Sequence, residues 1–456
     1  MSGLQIMRRC IMHLLSPLRV QPAQAFFTAS VIHPDEIVDE EACPTYNSNP
    51  KLFYPAKPGM ILADSYQLLV KIGWGVQSTV WLAQDITRYK WQQQQLLAVK
   101  IINSNATHDI YHERDIESLI ATRNPSHKGY GLIRTYSKSF EVAGPEDNHN
   151  HMCMIYKPMR EPLWILQKRF TDHKLPLPLA KAYILFLLAG LDYLHTECGI
   201  VHTDLKLDNI LMTFENENIL PTFVQENLSI QYKTNPSTGQ VVYRCQNDFG
   251  ALDWRELKNM FPKITDFGSA VRLDSGEEHT KKIGLHPIQP DQYRAPEVIL
   301  GHGWDFSADI WNLGVLTWNI IENTELFCHT HDTEGQYSAK AHIAEMIGLL
   351  GPPPKKFLAR SDTSAYAWPD SITNEAGKPC RSLHEFYGGP FFTHEGRFLH
   401  QNLIPTRSLD QALPSLPSND KDSFISFISS MLTWIPEERK TAHELMEHPF
   451  LSLHGQ

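Results

Sequence analysis

The sequence predicts an α+β fold in which a small β-rich lobe with one main helix precedes a larger, mostly helical lobe. Three β-favouring stretches, residues 66–72, 79–83 and 96–102, are separated by glycines and polar turns, a pattern typical of an antiparallel sheet. A helical candidate follows at residues 109–122, before the Asn-Pro turn at 124–125. Further along the chain the pattern is mostly helical, with the main candidates at residues 180–198, 307–322, 339–350 and 421–432.

Length and composition are those of an ordinary soluble globular protein. The chain has 456 residues, 42% of them hydrophobic and 20% charged, and its 41 Lys+Arg and 51 Asp+Glu give a formal net charge of −10. At about 150 residues per domain the length allows roughly three domains, and two lobes fit it equally well. The acidic balance argues against a nucleic-acid partner, because phosphate contacts need a basic surface. The seven cysteines show no spacing typical of zinc ligands or of a disulfide framework, which favours a reducing compartment.

The N-terminal segment differs from the rest of the chain. Residues 1–34 contain three arginines and no acidic residue, a composition that resembles a mitochondrial transit peptide and equally fits a disordered tail. Residues 43–59 carry four prolines and predict an extended lead-in. We therefore expect a tail over residues 1–59 and a folded body that begins near Met60.

No membrane-spanning helix is predicted. The longest apolar run, residues 182–191, has ten residues and ends at Asp192. A span needs about 20 apolar residues, so this run predicts a buried core helix instead.

The predicted lobes divide the chain near residue 160. Residues 60–159 are assigned to the small lobe and to a hinge that follows it, and residues 160–456 to the large lobe. Within the large lobe, residues 214–260 are polar, low in glycine and without a clear element pattern. We interpret them as an insertion, and the sequence predicts no oligomeric state.

A two-glycine hairpin at residues 72–80 separates the first two predicted strands. Glycine allows the backbone to approach a phosphate closely, so Gly73 and Gly75 could close over a nucleotide. Lys100 lies near the end of the third predicted strand, where burial of its charge is costly unless an anion meets it. A triphosphate is such an anion. A hairpin without a ligand is at least as common, so only the two features together favour a nucleotide site.

Residues 202–209 read His-Thr-Asp-Leu-Lys-Leu-Asp-Asn and follow a predicted helix. Their order matches a phosphoryl-transfer loop in which Asp204 accepts a hydroxyl proton and Lys206 neutralises the transferred phosphoryl group. Asn209 is in the position of a magnesium ligand. The spacing of three chemically distinct groups makes this a specific signal.

Two further motifs complete the set. Residues 263–268, Lys-Ile-Thr-Asp-Phe-Gly, supply Asp266 as a second metal ligand, and residues 293–297, Tyr-Arg-Ala-Pro-Glu, form a closing motif. Phosphoryl transfer needs mainly positioning and charge neutralisation, and a lysine, an aspartate base and two metal ligands provide both.

These motifs carry a resemblance to the eukaryotic protein kinases over about residues 66–451. The resemblance implies the bilobal protein kinase fold, with ATP and Mg²⁺ in the cleft and protein hydroxyls as acceptors. Lysine two residues after Asp204 is the pattern of serine/threonine kinases rather than tyrosine kinases. In the family a glutamate equivalent to Glu297 pairs with an arginine that Arg439 resembles, and Asp309 resembles the helix residue that supports the catalytic loop.

The resemblance also implies the residues that surround ATP. In the hinge at residues 154–159, Tyr156 would gate the adenine pocket, and the Lys157 carbonyl and the Met159 amide would bind adenine. The other implied ATP contacts come from the hairpin and the strand that carries the lysine: Ile72, Gly73, Gly75, Ser78, Val80, Ala98 and Lys100.

The helix partner of Lys100 is the weakest match to the family pattern. Aligning residues 115–119 on the pattern Glu-Ile-x-x-Leu places Asp115, one methylene shorter, where a glutamate is expected. Glu113 and Glu117 are alternative partners. A pair with Asp115 would be weaker or would need a closer helix.

The closer resemblance is to the SR-protein kinases and their fungal relatives in the CMGC group. Four features resemble that family in order and residue type: Gly-Trp-Gly at 73–75, Thr203 before the base, Asp-Ile-Trp at 309–311 and His-Ile-Ala at 342–344. The insertion also falls where that family carries its spacer. This resemblance implies protein substrates rich in Arg and Ser and a location in the cytoplasm or nucleus.

The substrate side departs from that family. SR-protein kinases place carboxylates beside the His-Ile-Ala motif and one helix length further on, and together these form an acidic docking groove. Here the matching positions are Ala341 and Gly348, and Lys340 is adjacent. Charge complementarity with Arg-Ser repeats is therefore expected to be reduced at this surface.

Two alternatives stay open at this point. A pseudokinase acting as a nucleotide-binding scaffold is suggested by Asp115 and by the lost acidic groove, although retention of Lys100, Asp204, Asn209 and Asp266 weighs against it. A small-molecule phosphotransferase is disfavoured, because the Ala-Pro-Glu motif and its arginine partner are typical of protein kinases.

Thr203 leads to a prediction about regulation. Many kinases carry arginine before the catalytic aspartate, where it pairs with a phosphate on the activation segment, and threonine cannot form that charge-assisted pair. We therefore expect that replacing Ser269, Ser275 and Thr280 with alanine leaves the rate of phosphate transfer within about a few-fold of the wild-type rate. A loss of about two orders of magnitude in the rate of the triple variant would contradict this expectation.

Overall fold

The computed structural model describes most of the chain after residue 27. The residues that it describes are 28–33, 35–89, 91–104, 110–144, 150–235, 239–273, 283–360, 368, 370–409, 413, 416 and 418–452. They form two compact units. The first unit draws on the described residues of the ranges 28–118, 135–161 and 213–260, and the second on those of the ranges 119–134, 162–212 and 261–452.

The strands lie mostly where β-branched and aromatic residues cluster in the sequence. Within the described ranges they are, in chain order, β1 (Thr28–Val31), β2 (Ile61–Leu62), β3 (Tyr66–Trp74), β4 (Ser78–Asp85), β5 (Leu96–Ile102), β6 (Lys138–Ala143), β7 (Asn150–Tyr156), β8 (Ile200–Val201), β9 (Ile210–Met212), β10 (Ser229–Thr234), β11 (Val241–Tyr243), β12 (Pro262–Ile264), β13 (Val271–Arg272), β14 (Ile372–Thr373) and β15 (Pro379–Cys380).

The α-helices of the described ranges are concentrated in the second half of the chain. They are α1 (Pro44–Ser48), α2 (His112–Thr122), α3 (Leu163–Gln167), α4 (Leu177–Asp192), α5 (Ile219–Glu226), α6 (Pro296–Leu300), α7 (Ser307–Glu322), α8 (Ala339–Leu350), α9 (Lys355–Leu358), α10 (Leu383–Phe386), α11 (Ser418–Ser429) and α12 (Ala442–Met446).

The elements confirm the predicted α+β class. The predicted strands correspond to β3, β4 and β5, and the predicted helices correspond to α2, α4, α7, α8 and α11, with ends that differ by a few residues. The largest difference is in the helix predicted at 180–198, where α4 ends at Asp192 and a π-helical turn, Tyr193–Cys198, completes the run.

The main sheet of the first unit has six strands in the order β2-β3-β4-β5-β7-β6, and every neighbouring pair is antiparallel. Successive side chains of a strand point to opposite faces of a sheet. In β5, Val99 and Ile101 accordingly pack in one apolar cluster, and Ala98 packs in another. Lys100 lies two residues after Ala98 and therefore projects from the same face as Ala98.

A second sheet of the first unit joins the N-terminal segment to the insertion. β1 pairs in parallel with β10, and β10 pairs antiparallel with β11. Tyr46 of the N-terminal segment packs in one apolar cluster with Val242 of the insertion. Leu220 and Phe223 of α5 pack against Leu82 of the main sheet. We call the N-terminal segment 28–53 and residues 214–250 of the insertion together the accessory module.

These contacts place two boundaries differently from the sequence prediction. The chain is folded from Thr28 rather than from Met60, and the stretch 43–59, predicted to be extended, contains α1. The insertion, assigned from sequence to the large lobe, belongs to the first unit, and residues 119–134, assigned to the small lobe, belong to the second. Pairing between segments about 200 residues apart explains the error, because β1 and β10 have no partner that local sequence could reveal.

A buried ion cluster ties the accessory module to β3. The Lys71 ammonium group lies 2.7 Å from Asp39 Oδ2 and 2.5 Å from Glu40 Oε2, and it donates a hydrogen bond to the Tyr243 carbonyl at 2.9 Å. The Lys71 side chain is 1% exposed. Burial raises the pKa of Glu40, and Lys71 opposes that rise. Two carboxylates and one carbonyl from the accessory module therefore surround one lysine of the main sheet.

The second unit is mostly helical, and α4 runs through its interior. Thr171–Cys198 is the one helical stretch of the described residues that is long and apolar enough to cross a membrane, but 61% of its most apolar window is buried inside the protein. This burial is typical of the core helix of a globular unit. After the π-helical turn, Gly199 adopts a left-handed conformation with φ of 66° and turns the chain into β8.

Two short strand pairs of the second unit lie next to the segments that carry the motifs at residues 202–209 and 263–268. β8 pairs with β13, with Val201 opposite Val271. β9 pairs with β12, with Ile210 opposite Ile264. The loop 202–209 therefore begins and ends beside the chain that carries the Asp-Phe-Gly motif.

The Lys71 cluster generates a stability prediction. Replacing Lys71 with alanine leaves two buried carboxylates without their counter-charge, and we expect a loss of about 3 kcal/mol or more in the free energy of unfolding at pH 7. Glu40 then binds a proton in the folded state at a pH where it is ionised in the unfolded chain, so stability falls as pH rises and the loss should be smaller at pH 5. Urea denaturation at both pH values measures this.

The control for that experiment is Lys157→Ala in the same unit. Lys157 pairs with Glu217, and the two side chains are 77% and 75% exposed, so its loss should cost under about 1 kcal/mol. Equal urea midpoints for the Lys71 and Lys157 variants would contradict the role assigned to the buried cluster.

Candidate active site

The glycine hairpin and the strand lysine are brought together by the register of the main sheet. Gly73 of β3 lies opposite Val80 of β4, and Val80 lies opposite Lys100 of β5. The Gly75 N–H donates to the Ser78 carbonyl at 2.9 Å and closes the turn. A Cβ atom at Gly75 would meet nothing within 4 Å, so the backbone there is open to a ligand that approaches closely.

The other residues expected around ATP divide between one face of the sheet and the hinge. Ile72 and Val80 pack on the same apolar cluster as Ala98, which gives an apolar surface beside Lys100. Ser78 and Met159 are buried. Lys157 is exposed and forms an ion pair with Glu217 of the insertion at 2.6 Å.

The partner of Lys100 is Glu113, and the assignment to Asp115 is wrong. Lys100 Nζ lies 2.6 Å from Glu113 Oε1 and 2.8 Å from Oε2. The side chain of Asp115 is 63% exposed and pairs instead with Arg114 at 2.7 Å. Residues two apart on a helix point in different directions, so Asp115 and Glu113 cannot both face the sheet. The carboxylate that pairs with Lys100 therefore belongs to a glutamate, whose side chain is one methylene longer than that of the aspartate expected from the sequence.

A second carboxylate lies one turn further along the same face of α2. Glu117 is 1% exposed and accepts hydrogen bonds from the Tyr156 hydroxyl at 2.9 Å and from the Tyr136 N–H at 2.7 Å. Burial raises the pKa of Glu117 to about 8, the charge of Glu113 adds to the rise, and Lys100 opposes it. The residue expected to gate the adenine pocket is thus hydrogen-bonded to α2.

In the second unit the catalytic loop brings three predicted residues together. Lys206 Nζ lies 3.1 Å from Asp204 Oδ2. Asn209 Nδ2 donates to the Asp204 carbonyl at 2.8 Å and to its carboxylate at 2.9 Å. The Asp204 side chain is 24% exposed, so its carboxylate is oriented by two neighbours and still accessible to a hydroxyl group.

Asp309 of α7 holds the backbone of this loop. Its fully buried carboxylate accepts hydrogen bonds from the His202 N–H at 2.7 Å and the Thr203 N–H at 3.0 Å. His195 Nε2 lies 3.0 Å from the same carboxylate. Thr203 has a φ of 67°, an unfavourable conformation for a β-branched residue that such bonds maintain. Asp309 thus lies where the sequence predicts it, in contact with the backbone of the loop.

Thr203 also contacts the segment that follows the Asp-Phe-Gly motif. Its hydroxyl donates to the Ser269 carbonyl at 2.7 Å. The bond joins the catalytic loop to that segment without a charged group. Ser275 and Thr280, which the regulatory prediction names, lie outside the described residues.

Asn209 and Asp266 are placed side by side by the β9–β12 pair. Both the N–H and the hydroxyl of Thr265 donate to the Asn209 carbonyl, at 2.9 and 3.1 Å. Because the two amide hydrogens of Asn209 point to Asp204, its side-chain oxygen is the atom left for a metal ion. An amide oxygen and a carboxylate are hard oxygen ligands of the kind that Mg²⁺ takes, so these residues fit the implied metal.

Glu297 and Arg439, which the family resemblance implies as partners, form a buried ion pair. Both Arg439 Nη atoms donate to the Glu297 carboxylate at 2.6 Å, and the two side chains are 0% exposed. Arg439 Nη1 also donates to the Ser307 carbonyl at 2.9 Å, and its guanidinium group lies over the Trp311 ring. A bidentate pair of this kind joins three segments of the second unit, so its role is structural.

The surface that would carry an acidic docking groove contains no carboxylate at the two expected positions. A Cβ atom at Gly348 would lie 2.8 Å from the Pro405 carbonyl oxygen and 2.9 Å from Pro405 Cγ. A carboxylate side chain at that position would therefore require Pro405 to move. Ala341 is half-buried, and the neighbouring Lys340 is exposed.

Sequence reasoning missed two contacts around the hinge. The first is the bond between Glu117 and Tyr156, 39 residues apart. The second is a buried ion pair in which Arg160 Nη1 lies 3.0 Å from both oxygens of Glu215. Arg160 also donates to the Gly250 carbonyl at 2.7 Å. The position of Arg160 directly after the hinge could have indicated the second contact, but the sequence does not show that Glu215 is its partner.

Comparisons with known proteins agree with this arrangement. A family model described as a protein kinase domain matches residues 66–242 and 251–451. A serine/threonine protein kinase of Aspergillus fumigatus is 32% identical over 417 residues, which cover 91% of this chain and 91% of that protein. A serine/threonine-protein kinase SRPK of Physarum polycephalum is 29% identical over 88% of this chain and 89% of that protein. A crystal structure of a kinase domain matches with a TM-score of 0.57 at 22% identity, covers 88% of this chain and 99% of that one, and shows likeness of fold alone.

Proposed function

The chain belongs to the protein kinase domain family and is a serine/threonine protein kinase, and we propose that Asp204, Lys206 and Lys100 carry out the transfer of the γ-phosphate of ATP. The observation that carries the proposal is the arrangement around Asp204, whose carboxylate is oriented by Lys206 and Asn209 and still exposed to an acceptor. Positioned groups of opposite charge are what phosphoryl transfer requires.

Each residue has a separate task in this proposal. Asp204 orients the substrate hydroxyl and accepts its proton as the bond to phosphorus forms. Lys206, 3.1 Å from Asp204, neutralises charge on the phosphoryl group as it moves. Lys100, held by Glu113, binds the remaining phosphates of the nucleotide, and the open backbone at Gly75 contacts them.

We propose that the divalent metal is Mg²⁺ and that Asn209 and Asp266 are its protein ligands. Held by these two residues, the ion would neutralise negative charge on the phosphates of the nucleotide. The support is the placement of the two residues, since Thr265 bonds to Asn209 and is adjacent to Asp266. Asn209 thereby connects the metal position to the base that it orients.

The pseudokinase alternative loses its main support. It rested on Asp115 as a poor partner for Lys100, and that lysine pairs with Glu113 instead. A scaffold would not need Asp204 held at hydrogen-bond distance by two side chains. We therefore propose an active kinase.

We propose protein substrates with serine or threonine in a basic context and a weak preference for Arg-Ser repeats. A relative named SRPK supports an SR-type substrate. The docking surface opposes a strong preference, because Ala341 and Gly348 bring no carboxylate and Lys340 brings a positive charge.

Replacing Asp204 with asparagine tests the catalytic proposal. Loss of the proton acceptor should lower the rate of transfer by about 10²- to 10⁴-fold. Transfer of radiolabelled phosphate from ATP to an Arg-Ser peptide and to a generic basic protein measures the rate. The two substrates should differ by less than about tenfold, since charge complementarity is reduced.

The matched control is Asp370→Asn, which changes an exposed aspartate and should transfer phosphate at the wild-type rate. Equal transfer by the Asp204 variant and the wild type would refute the kinase proposal. A strong preference for the Arg-Ser peptide would refute only the substrate proposal.

For localisation we propose the cytoplasm or nucleus. β1 begins at Thr28 and pairs with β10, so removal of residues 1–34 would remove a strand of the accessory module together with any targeting signal. A truncation of residues 1–27 avoids that damage. We expect C-terminal fluorescent fusions of the full chain and of this truncation to distribute alike, and a mitochondrial signal that is lost on truncation would overturn the proposal.

A further inference from the structure

The buried face of α2 carries two carboxylates where one suffices to pair with Lys100. Glu113 and Glu117 are four residues apart and therefore lie one helical turn apart on the same face. Both are buried. Glu113 meets Lys100, whereas Glu117 meets the Tyr156 hydroxyl and the Tyr136 N–H.

The sheet presents matching groups at a matching spacing. Tyr156 lies opposite Ala98, and Lys100 lies opposite Met154. Ala98, Met154 and Tyr156 share one apolar cluster, so Lys100 and Tyr156 project from the same face of the sheet as diagonal neighbours. Diagonal neighbours on adjacent strands are about 7 Å apart, close to the 5–6 Å between residues one helical turn apart. The helix can therefore satisfy both contacts at once.

Two attachment points restrict the helix more than one does. The ion pair between Lys100 and Glu113 adds one polar contact to the packing of the buried residues Ile116 and Ile120 of α2. The bonds from Glu117 to Tyr156 and to the backbone at Tyr136 restrict rotation and sliding of the helix further, because they involve two different segments of the first unit. The Tyr156 side chain is itself fixed by burial, at 1% exposed.

We propose that Glu117 is a positioning residue for phosphate transfer, which anchors α2 to Tyr156 and to the Tyr136 backbone and thereby delivers Glu113 to Lys100. The proposal rests on the kinase function proposed above. It assigns to Tyr156 a second role besides gating the adenine pocket, since its hydroxyl group is one of the two anchors.

The charge state of Glu117 matters for Lys100. The groups that face Glu117 are Glu113 on its own helix, Lys100 and Tyr156 on the sheet, and the Tyr136 backbone. Burial and the charge of Glu113 raise the pKa of Glu117 to about 8, so at neutral pH its carboxyl is mostly protonated. On α2, Lys100 then faces the Glu113 carboxylate beside an uncharged carboxyl group. Ionisation of Glu117 above pH 8 adds a competing anion.

Nucleotide affinity of the full-length protein is the appropriate readout, because it does not require transfer. Glu117→Ala and Tyr156→Phe should each raise the Kd for a fluorescent ATP analogue about tenfold, because each removes a buried hydrogen bond that orients the helix. The double variant should be no weaker than the weaker single variant, because both changes break the same anchor. Melting curves show whether each variant is folded.

Glu117→Gln is the conservative variant. Its amide can keep both contacts and cannot ionise, so we expect wild-type affinity at pH 7 and no loss of affinity between pH 7 and pH 9. The wild type should lose affinity over that range as Glu117 ionises. A merely structural role would lower the melting temperature of the alanine variant without changing the pH profile of the folded protein.

Asp115→Asn is the matched control, because it changes an exposed carboxylate of the same helix. Glu117→Ala and Tyr156→Phe variants that are folded and bind the analogue within about twofold of this control would overturn the proposal. An additive effect in the double variant would overturn it as well. Failure of this proposal can be distinguished from failure of the proposed kinase function. A wild-type protein that binds nucleotide but transfers no phosphate would refute the kinase function, and the affinity test of Glu117 would still apply.

Discussion

An ammonium group on the face of a sheet is stable only when another element supplies an anion, and the Lys100–Glu113 pair meets that requirement here. The pair sets the position of α2 against β5, because a contact of 2.6 Å allows little displacement. Apolar residues on the same face of the sheet as Lys100 form one buried cluster beside this pair. The second carboxylate of that helix, Glu117, can be buried next to the first because it meets hydrogen-bond donors and holds a proton at neutral pH.

The same constraint organises the accessory module. Lys71 lies two residues before the first glycine of the hairpin, and its ammonium group is surrounded by Asp39, Glu40 and the Tyr243 carbonyl. Segments that are distant in sequence are therefore held against the strand that leads into the hairpin. The insertion contributes a second buried pair, between Arg160 and Glu215, immediately after the hinge. Structural ion pairs thus flank the elements expected to contact ATP at both ends.

In the second unit, the contact that organises the catalytic loop is a buried carboxylate that accepts backbone hydrogen bonds. Asp309 accepts two backbone N–H groups of the catalytic loop and holds Thr203 in a left-handed conformation. The strained backbone directs Asp204 toward Lys206 and Asn209. Thr203 is tied to Ser269 by a neutral hydrogen bond, which is consistent with a catalytic loop that does not rely on a phosphate for its position. The Glu297–Arg439 pair stabilises the same unit at another place.

The sequence by itself determined the fold class and the order of the main strands and helices, and it identified Lys100, Asp204, Lys206, Asn209 and Asp266 as candidate site residues. These are local patterns, since strand alternation, helix periodicity and motif spacing are each read within about ten residues. Only the tertiary structure decided that Glu113 rather than Asp115 pairs with Lys100. The choice depends on which face of α2 meets the sheet, and a shift of two residues in an alignment rotates that face away. The folded N-terminal segment and its sheet with the insertion were equally beyond the sequence, because β1 and β10 are about 200 residues apart and all four residues of β1 are exposed, so that no buried apolar face marks this strand in the sequence.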